Sequence, residues 1–396
     1  MKIYIIGIGM DGNKTLTAEA KKAIESSDVL IGAKRMTEPF LALGKTVREC
    51  WKTDEICDNL ASCGCNTASV LMSGDCGFFS GAQGLTERLS GYDTEIISGI
   101  SSPVYLCAKL GLPWQDMKLV SLHGTDGNIA RNVRRCGRCF FLLGGSVTPA
   151  DICRRLCEYE MGDVTVHIGA RLAYPDEKLI SGTAKELTDV SCDPLCAVIT
   201  ENAEPEDRVH FGIPDGGFIR GNVPMTKSEI RAVAAAKLGI RETDTVWDIG
   251  CGTGSVSVEC ALAAYDGTVI SVDKKDEAVE LTSRNAHKFG CDNIRVIRGS
   301  APEALRDIPA PDKVFIGGSG GCISDILDAA LSEGKLPRIV ITAVSLETLH
   351  EAAGALKAHG AAPDITQISA VRSRLLGTHT MPEPQSPVFI IEGGAQ

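Results

Sequence analysis

Short apolar runs alternate with longer amphipathic stretches along the first half of the chain. Such runs predict β-strands, and the stretches between them predict helices. The predicted strands are Lys2 to Ile8, Asp28 to Ile31, Ala68 to Met72, Thr94 to Ile97, Lys118 to Ser121, Cys139 to Leu143, Thr165 to Ile168 and Leu195 to Thr200. This alternation is typical of an α/β fold with a mainly parallel sheet.

The chain has 396 residues, which is too long for one ordinary domain, so we expect two. The segment 201–215 is rich in charge and proline and has little periodicity, which indicates a linker. We therefore expect domains at residues 1–205 and 206–396. A break at 110–116, which contains Pro113, predicts that the first domain has lobes of about 1–111 and 112–205.

The pattern around residue 250 predicts a strand, a glycine-rich turn and a helix. Asp248-Ile-Gly-Cys-Gly-Thr-Gly follows a short apolar run and precedes a longer one that begins at Ser255. This order opens a nucleotide-binding α/β unit, in which glycines permit a sharp turn and the close approach of a ligand. The next apolar run ends on Asp273, roughly 20 residues beyond the turn, where a carboxylate can bind ribose hydroxyls.

The glycine spacing distinguishes two kinds of nucleotide site. A dinucleotide fingerprint, G-x-G-x-x-G, would place a glycine at Ser255, and the carboxylate of Asp248 would repel a pyrophosphate. S-adenosylmethionine (SAM) carries no phosphate, and the motif D-x-G-x-G-x-G resembles that of class I SAM-dependent methyltransferases. The resemblance implies SAM contacts from Asp248, Gly250, Gly252, Gly254, Asp273, Ser300, Ala301 and Gly317. Two late apolar runs, 365–371 and 387–392, predict the antiparallel strand pair typical of that class, joined by a polar, proline-rich loop.

Several turns of the first half resemble a different SAM-binding family. Gly7-Ile-Gly-Met-Asp-Gly12 matches G-x-G-x-x-G, but the next apolar run does not end on an acid, so a dinucleotide site is not indicated. The stretches that begin at Leu71, Ser98, His123 and Leu172 resemble, in order and spacing, the tetrapyrrole (corrin) methylase family. The resemblance implies a two-lobed α/β fold that binds SAM between its lobes.

Two of these turns imply particular SAM contacts. Ser73-Gly-Asp-Cys-Gly-Phe78 resembles the family's S-G-D-P-x-F, and Ser98-Gly-Ile-Ser-Ser102 resembles its P-G-I-S-S. A cysteine replaces the usual proline, which leaves a φ angle less constrained, and Met10-Asp11 replaces the usual Pro-Gly of the first loop. The residues implied to contact SAM are Gly74, Asp75, Cys76, Phe78, Ser101 and Ser102.

The order of the two domains resembles a family of decarboxylating methyltransferases of cobalamin biosynthesis. The segments 221–231 and 312–321 resemble its P-M-T-K-x-E-x-R and D-x-x-F-I-G-G-S-G-G motifs. The resemblance implies a two-lobed tetrapyrrole methylase fold followed by a Rossmann-like class I SAM methyltransferase fold, with one SAM site in each domain. The first domain would methylate C5 of a precorrin or cobalt-precorrin, and the second would methylate C15 and decarboxylate the C12 acetate.

Such a macrocycle carries many carboxylates, which arginine and lysine bind. The cationic candidates are Lys34, Arg35, Arg131, Arg220, Lys227, Arg231, Arg372 and Arg374, and the substrate-positioning candidates are Thr226, Lys227, Glu229 and Arg231. Lys227 and Arg231 would share one helical face if a helix began at Thr226. Thr226 and Glu229 also fit a capping box, which is a purely structural role. No Ser-His-Asp or His-Cys constellation indicates a catalytic base.

The composition of the chain bears on whether it binds nucleic acid, a membrane or a metal ion. The net charge of −11 disfavours nucleic acid. No apolar run reaches the roughly 20 residues that span a membrane, and the first residues lack a signal-peptide pattern, so we expect a cytoplasmic protein. The 16 cysteines are scattered and fit small buried thiols. Cys136 and Cys139 form the only C-x-x-C and lack a second pair, so we expect no metal site.

Three alternatives stay open at this point. One is a class I methyltransferase for nucleic acid or another small molecule, although Gly317-Gly318-Ser319 stands where methylases of exocyclic amines carry N/D-P-P-Y/F. Another is an NAD-dependent dehydrogenase, which the glycine spacing disfavours. The third is a non-catalytic SAM sensor, whose binding residues would look the same. Because both resembled families often self-associate, we also expect a homo-oligomer.

Overall fold

The computed structural model describes residues 1–123, 128–206, 211–331, 334 and 336–395. The chain divides into two compact units. Unit 1 consists of Met1–Asp126, Gly137–Cys157 and Gly162–Ala203, and unit 2 consists of Gly127–Cys136, Glu158–Met161 and Glu204–Gln396. The domain boundaries expected from the sequence stay a prediction.

Unit 1 contains ten strands and six α-helices among its described residues. The strands are β1 (Lys2–Gly7), β2 (Val29–Gly32), β3 (Thr46–Glu49), β4 (Thr67–Met72), β5 (Asp93–Ile97), β6 (Lys118–Ser121), β7 (Arg138–Leu142), β8 (Thr165–Ala170), β9 (Lys178–Thr183) and β10 (Cys196–Glu201). The helices are α1 (Ala18–Ser26), α2 (Lys34–Thr37), α3 (Thr53–Ser62), α4 (Ala82–Arg88), α5 (Ser102–Leu110) and α7 (Pro149–Glu158); α6 (Ile129–Arg135) belongs to unit 2.

The first sheet of unit 1 is parallel throughout, in the order β3-β2-β4-β1-β5. Ile5 pairs with Val70 on one side and with Ile96 on the other. Ile5 and Val70 belong to the core on one face, whereas Ile6 and Leu71 belong to the core on the other. Burial on both faces explains why these strands are continuous apolar runs rather than alternating ones.

The second sheet of unit 1 corrects the expectation of mainly parallel strands. Its order is β6-β7-β10-β8-β9, and only β6 and β7 pair in parallel, whereas the other three pairs are antiparallel. The reason lies in the connections. No α-helix separates β8 from β9 or β9 from β10, and parallel neighbours need a long crossover that is usually helical.

Unit 2 is built on one seven-stranded sheet. The described part of unit 2 has nine strands, of which β17 and β18 lie outside this sheet. They are β11 (Thr245–Ile249), β12 (Thr268–Asp273), β13 (Ile294–Arg298), β14 (Lys313–Ile316), β15 (Arg338–Ala343), β16 (Asp364–Ile368), β17 (Val371–Leu376), β18 (His379–Pro384) and β19 (Val388–Gly393). Besides α6, its helices are α8 (Ser228–Leu238), α9 (Ser255–Ala263), α10 (Asp276–Lys288), α11 (Ile323–Ala330) and α12 (Leu346–Ala358). Apolar clusters that include Val246 and Trp247 cover the two faces of this sheet.

The sheet order is β13-β12-β11-β14-β15-β19-β16. The strand order reverses between β11 and β14, so a crevice opens there at the carboxyl ends of the strands. The predicted C-terminal pair is confirmed, because β19 is antiparallel to both β15 and β16. The predicted loop between the paired strands is wrong: β17 and β18 form a separate two-stranded sheet there.

Three further features bear on the sequence expectations. None of the α-helices in the described ranges has the length and apolar character needed to cross a bilayer. The same residues contain no group of three or more His, Cys, Asp or Glu side chains suited to a metal ion. Buried free thiols include Cys107 and Cys260, whereas Cys63 and Cys65 are joined in a disulfide that the sequence did not indicate.

Candidate functional site

Unit 2 has a cavity of about 320 Å³ at the carboxyl ends of β11 to β14. Of the eight predicted SAM-contacting residues of the second half, those that line it are Gly250, Gly252, Asp273, Ser300, Ala301 and Gly317. Asp248 and Gly254 do not line it. The structure therefore brings together four separate turns, each of which follows a different strand of the sheet.

The turn after β11 leaves no room for a side chain at any of its three glycines. Gly250, Gly252 and Gly254 all have positive φ angles, of 75°, 57° and 72°. A Cβ atom at Gly250 would lie 2.7 Å from the carbonyl oxygen of Gly318, and one at Gly252 would lie 2.6 Å from that of Pro224. Both conformation and close packing therefore require glycine, and the turn exposes backbone to the cavity.

Asp273 ends β12 beside this turn. Its Oδ2 accepts a hydrogen bond from the Gly252 N–H at 3.1 Å, and its Oδ1 accepts one from the Lys275 N–H at 3.0 Å. A carboxylate offers about four lone-pair sites, so acceptor capacity remains on a half-buried side chain that lines the cavity. This arrangement suits a ligand that presents two neighbouring hydroxyls.

Asp248 lies beneath the turn, in β11, and is fully buried. Ser257 donates a hydrogen bond to its Oδ2, and Ser271 donates in turn to Ser257 at 2.9 Å. Its Oδ1 has no hydrogen-bond partner among the residues that the structure describes, and burial raises the pKa of this carboxyl to about 7. The side chain therefore supports the turn from within the core rather than lining the cavity.

Unit 1 has a larger cavity, of about 460 Å³. Residues from both of its sheets line it, including Met72 from β4 and Ala197 from β10. Of the six predicted SAM-contacting residues of the first half, those that line it are Gly74, Asp75, Phe78, Ser101 and Ser102. Of the predicted pair His123-Gly124, His123 lines the cavity and Gly124 lies outside the described residues.

Three turns of unit 1 meet backbone to backbone beside this cavity. Gly9 and Gly74 exchange hydrogen bonds at 3.1 and 2.8 Å. A Cβ atom at Gly99 would lie 2.2 Å from the Gly74 carbonyl oxygen, so no side chain fits there. Asp75 fixes the arrangement, because its two oxygens accept from the N–H groups of Gly77 and Gly99 at 2.8 and 3.0 Å.

The turn at Ser101 presents an unsatisfied hydroxyl. Ser101 is the N-cap of α5, yet its side chain makes no capping hydrogen bond. Its Oγ is buried and has no partner among the described residues. A buried hydroxyl is normally hydrogen-bonded, and this one belongs to a cavity-lining residue, so it fits contact with a polar ligand.

Cys76 does not line the cavity, although its turn does. Its side chain is buried between β1 and β5, with Sγ 3.6 Å from the carbonyl oxygens of Ile5 and Ile97. Burial raises the pKa of this thiol to about 12. Any ligand contact from this position would come from the backbone.

Cationic side chains reach both cavities. Arg35 lines the cavity of unit 1 and donates to Tyr174 Oη at 3.2 Å and to Ser73 Oγ at 3.1 Å. Lys274 and Lys275 line the cavity of unit 2 and are exposed. Arg35 was a sequence candidate. Lys274 and Lys275 were not predicted, although their position directly after Asp273, the predicted ribose-binding residue, could have indicated that they lie at the site.

The expectation that Arg231 positions substrate does not agree with its placement. Arg231 is fully buried. Its Nε donates to Glu259 Oε1 at 2.5 Å. Its Nη1 donates to the Thr226 carbonyl at 2.6 Å and to Asp215 at 3.4 Å. Its Nη2 donates to the Ile213 carbonyl. Every guanidinium nitrogen is engaged, so this side chain anchors the segment before α8.

The other positioning candidates also have structural partners. The helix begins at Ser228, with Lys227 as N-cap, so the capping box of Thr226 and Glu229 does not form. Asp215 caps the helix instead, accepting from the Ser228 N–H at 3.0 Å. Arg372 donates to Glu229 at 3.0 and 2.5 Å, which lowers the pKa of that carboxyl to about 2. None of Thr226, Lys227 and Glu229 lines the cavity of unit 2.

The remaining cationic candidates lie away from the cavities. Lys34, Arg220 and Arg374 are exposed, and Arg374 pairs with Glu383 at 3.2 Å. Arg131 is buried in unit 2, and none of its side-chain nitrogens has a hydrogen-bond partner within the described part of the chain. Neither cavity includes any of these four side chains.

Comparison with known proteins finds two families in one chain. Residues 2–188 match the family described as Tetrapyrrole (Corrin/Porphyrin) Methylases, and residues 218–392 match the Precorrin methyltransferase domain. A probable cobalt-precorrin-6B C(15)-methyltransferase (decarboxylating) of Pyrobaculum calidifontis is 44% identical over 183 residues, which cover 46% of this chain and 94% of that protein. The chain belongs to the precorrin methyltransferase family.

Two other precorrin methyltransferases extend the comparison. The precorrin-6Y C(5,15)-methyltransferase [decarboxylating] of Sinorhizobium sp is 28% identical over 350 residues, which cover 86% of this chain and 84% of that protein. A crystal structure of precorrin-6y C5,15-methyltransferase from Geobacter metallireducens is 35% identical and covers 46% of this chain and 95% of that one, with a TM-score of 0.43. Membership of the family confirms the predicted α/β fold class and the use of SAM.

Proposed function

We propose that this precorrin methyltransferase acts at two sites on one type of macrocycle. Unit 1 methylates C5 of a precorrin or cobalt-precorrin, and unit 2 methylates C15 and decarboxylates the C12 acetate. The observation that carries the proposal is that one chain contains two separate cavities, each built on glycine turns at strand ends. The activities are assigned to residues 1–205 and 206–396, and the active protein is a homo-oligomer in the cytoplasm.

In unit 2, Asp273 would hold the two ribose hydroxyls of SAM. The backbone of the turn from Gly250 to Gly254 would lie against the amino acid part of SAM, and Ser300 and Ala301 would contact the adenine. The shape of the site supports this assignment, since Cβ atoms at Gly250 and Gly252 would collide with neighbouring backbone. Asp248 would act indirectly, by supporting the turn.

In unit 1, the turn at Gly74 and Asp75 and the hydroxyls of Ser101 and Ser102 would hold a second SAM. The buried Oγ of Ser101, which has no hydrogen-bond partner within the described ranges, supports this assignment. The backbone contact between the turns at Gly74 and Gly99 also supports it. Phe78 would cover the ligand from the side. Cys76 would contribute only its backbone.

Methyl transfer from SAM supplies an electrophilic carbon to each site. The reduced macrocycle is enamine-like at its meso carbons, so the protein mainly has to hold the acceptor carbon in line, at about 3–3.5 Å from that methyl group. Arg35 in unit 1, and Lys274 and Lys275 in unit 2, would hold acetate and propionate carboxylates. Their cavity-facing positions support this role.

Decarboxylation places a further demand on unit 2. The electron pair that remains when carbon dioxide leaves must pass into the ring, and a carboxylate with little hydration loses carbon dioxide more readily. Val223, Pro224 and Val272 give the cavity apolar wall. We assign the departing acetate to this wall and the retained carboxylates to the two lysines.

The test is product analysis with the full chain, SAM and either precorrin-6Y or cobalt-precorrin-6B. The proposal predicts the gain of two methyl groups and the loss of one carbon dioxide in the product mass, with at least one of the two substrates. SAM binding without any change in either substrate would instead favour a sensor or a different acceptor. Gain of one methyl group without the loss of carbon dioxide would contradict the role of unit 2.

A further inference from the structure

One consequence of C5 methylation concerns a proton. A meso carbon of a tetrapyrrole carries one hydrogen. When this carbon forms its new C–C bond to the methyl group, the C–S bond breaks and its electrons remain on sulfur. The carbon is then tetrahedral, and conjugation returns only when the hydrogen leaves as a proton. A group in the cavity of unit 1 has to accept that proton or pass it to water.

Among the described residues that line this cavity, six have titratable side chains: Arg35, Cys50, Asp75, His123, Tyr174 and Cys196. Three of these six, Arg35, Asp75 and Tyr174, are not suited to accept the proton. Asp75 is assigned to the proposed SAM site, where its two oxygens accept from the N–H groups of Gly77 and Gly99, and the phenol oxygen of Tyr174 accepts from the Arg35 guanidinium. Arg35 is always a cation and cannot take up a proton.

The two thiols are not suitable acceptors either. Burial raises the pKa of Cys50, and Asn59 donates a hydrogen bond to its sulfur at 3.6 Å. Burial also raises the pKa of Cys196 to about 12. These thiols stay protonated at neutral pH, so neither has a vacant lone pair of sufficient basicity.

His123 differs from these five. It follows β6, where the Leu122 N–H donates to the Leu142 carbonyl at 2.9 Å and so continues the pairing with β7. The His123 N–H donates to Ser121 Oγ at 3.4 Å. Within the described ranges, neither ring nitrogen has a hydrogen-bond partner, so a lone pair is available on the neutral imidazole.

Gly144 makes room for this ring. A Cβ atom at Gly144 would lie 2.0 Å from His123 Nδ1, and its φ angle is not in the left-handed region. The glycine is therefore required for space rather than for conformation. Because Nδ1 lies against the backbone of Gly144, Nε2 is the ring nitrogen with freer access.

We propose that His123 accepts the proton released from the methylated meso carbon in unit 1, and this rests on the proposed C5 methylation. The C–H electron pair returns to the ring, the proton moves to the imidazole nitrogen, and the imidazolium passes it to solvent, to which His123 is exposed. Histidine suits this role, since it changes protonation near neutral pH.

The test compares His123→Gln with the wild-type full chain at saturating SAM, by the rate of C5 methylation as a function of pH. The wild-type rate should rise with pH through the titration of an imidazole and then level off. In H123Q the rate of C5 methylation should fall by about 100-fold, since a general base accelerates a reaction by roughly 10²–10⁴-fold. The increase of the rate with pH should be absent in this variant. Added imidazole should restore part of the activity of His123→Ala.

The matched control is His167→Gln. His167 lies in the same unit but bonds to Ser181 at 2.7 Å and to Glu201 at 3.1 Å, so H167Q should keep the wild-type rate and pH profile. SAM affinity should be unchanged in H123Q. A wild-type rate and profile in H123Q would overturn the role of His123 alone. Absence of the C5-methylated product with the wild-type chain would overturn the proposed function and, with it, this inference.

Discussion

The Gly252 N–H donates to Oδ2 of Asp273 at 3.1 Å, so the acid that ends β12 also holds the glycine turn that follows β11. This contact joins the two elements that would hold the ribose and the amino acid part of SAM. It explains why the glycine motif and the distant acid occur together in the sequence: each positions the other.

Replacement of Asp273 by Ala should remove SAM binding in unit 2 and leave the site of unit 1 intact. A hydrogen bond to a charged group contributes about 1.5–3 kcal/mol, so affinity should fall roughly 10- to 100-fold or more. Calorimetric titration with SAM should show two sites in the wild type and one in the variant. The control Asp276→Ala removes an exposed carboxylate that pairs with Arg298 and should keep both sites. Unchanged affinity of unit 2 for SAM in D273A would show that Asp273 does not bind the ribose.

Replacement of Gly74 by Val should prevent C5 methylation. Gly74 has a φ angle of 68°, where a β-branched residue is strained, and its Cβ would point at Met10 Cε from 3.4 Å. The matched control is Gly91→Val, at a glycine with open space around it and no positive φ. Product analysis should show C15 methylation without C5 methylation in G74V only. Normal C5 product from G74V would refute the placement of this SAM site.

Asp248 makes the stability of unit 2 depend on pH. Burial raises the pKa of its carboxyl to about 7 in the folded chain, whereas an aspartate in an unfolded chain has a pKa of about 3.9. The tighter proton binding stabilises the fold fully below about pH 4, and this contribution is lost as the pH rises through about 7.

The variant Asp248→Asn cannot titrate. Its stability relative to wild type should therefore increase by about 2.7 kcal/mol between pH 5 and pH 8, because the folded pKa lies about two units above pH 5 and one pKa unit corresponds to about 1.4 kcal/mol. Urea unfolding followed by fluorescence can measure this, because Trp247 is buried in unit 2, whereas Trp51 and Trp114 are exposed. A difference between D248N and wild type that does not change with pH would contradict the raised pKa.

Arg231 should prove to be a structural residue. Its partner Glu259 is also fully buried and accepts from the N–H groups of Gly212 and Ile213 at 3.0 and 2.9 Å. Loss of one member of a buried ion pair costs about 3–5 kcal/mol, so Arg231→Met should lower the melting temperature strongly. The control Arg220→Met replaces an exposed arginine and should have little effect. A raised KM for the macrocycle with unchanged stability in R231M would restore the substrate-positioning role.

The sequence was sufficient for eight of the ten strands described in unit 1, which include the edge strands β5 and β6. Predicted and observed bounds agree within two residues for the eight predicted strands of the first half. It was not sufficient for β3 and β9, because none of their residues is buried and their apolar runs are only one and two residues long. β17 and β18 were missed for a similar reason, since almost all of their side chains are exposed or half-buried.

The cavity-lining residues were predictable where the backbone itself is the functional group. Glycines that meet other backbone, such as Gly74 and Gly250, carry a signal in the sequence. Charged side chains carry much less. In the sequence, nothing around Arg231 or Lys274 shows which of the two cations is buried. Arg231 is buried and bonds to four acceptors, whereas Lys274 lines a cavity. The difference arises from the tertiary partners of Arg231, such as Glu259, which lies 28 residues away in the sequence.

The central claim is that one chain methylates two positions through two independent SAM sites. The most direct measurement uses SAM labelled with ¹³C in its methyl group and locates the label in the product by NMR. We predict label at both C5 and C15 with the wild-type chain, at C5 alone with D273A, and at C15 alone with G74V. Label at both positions with either variant, or at only one position with the wild type, would contradict the account.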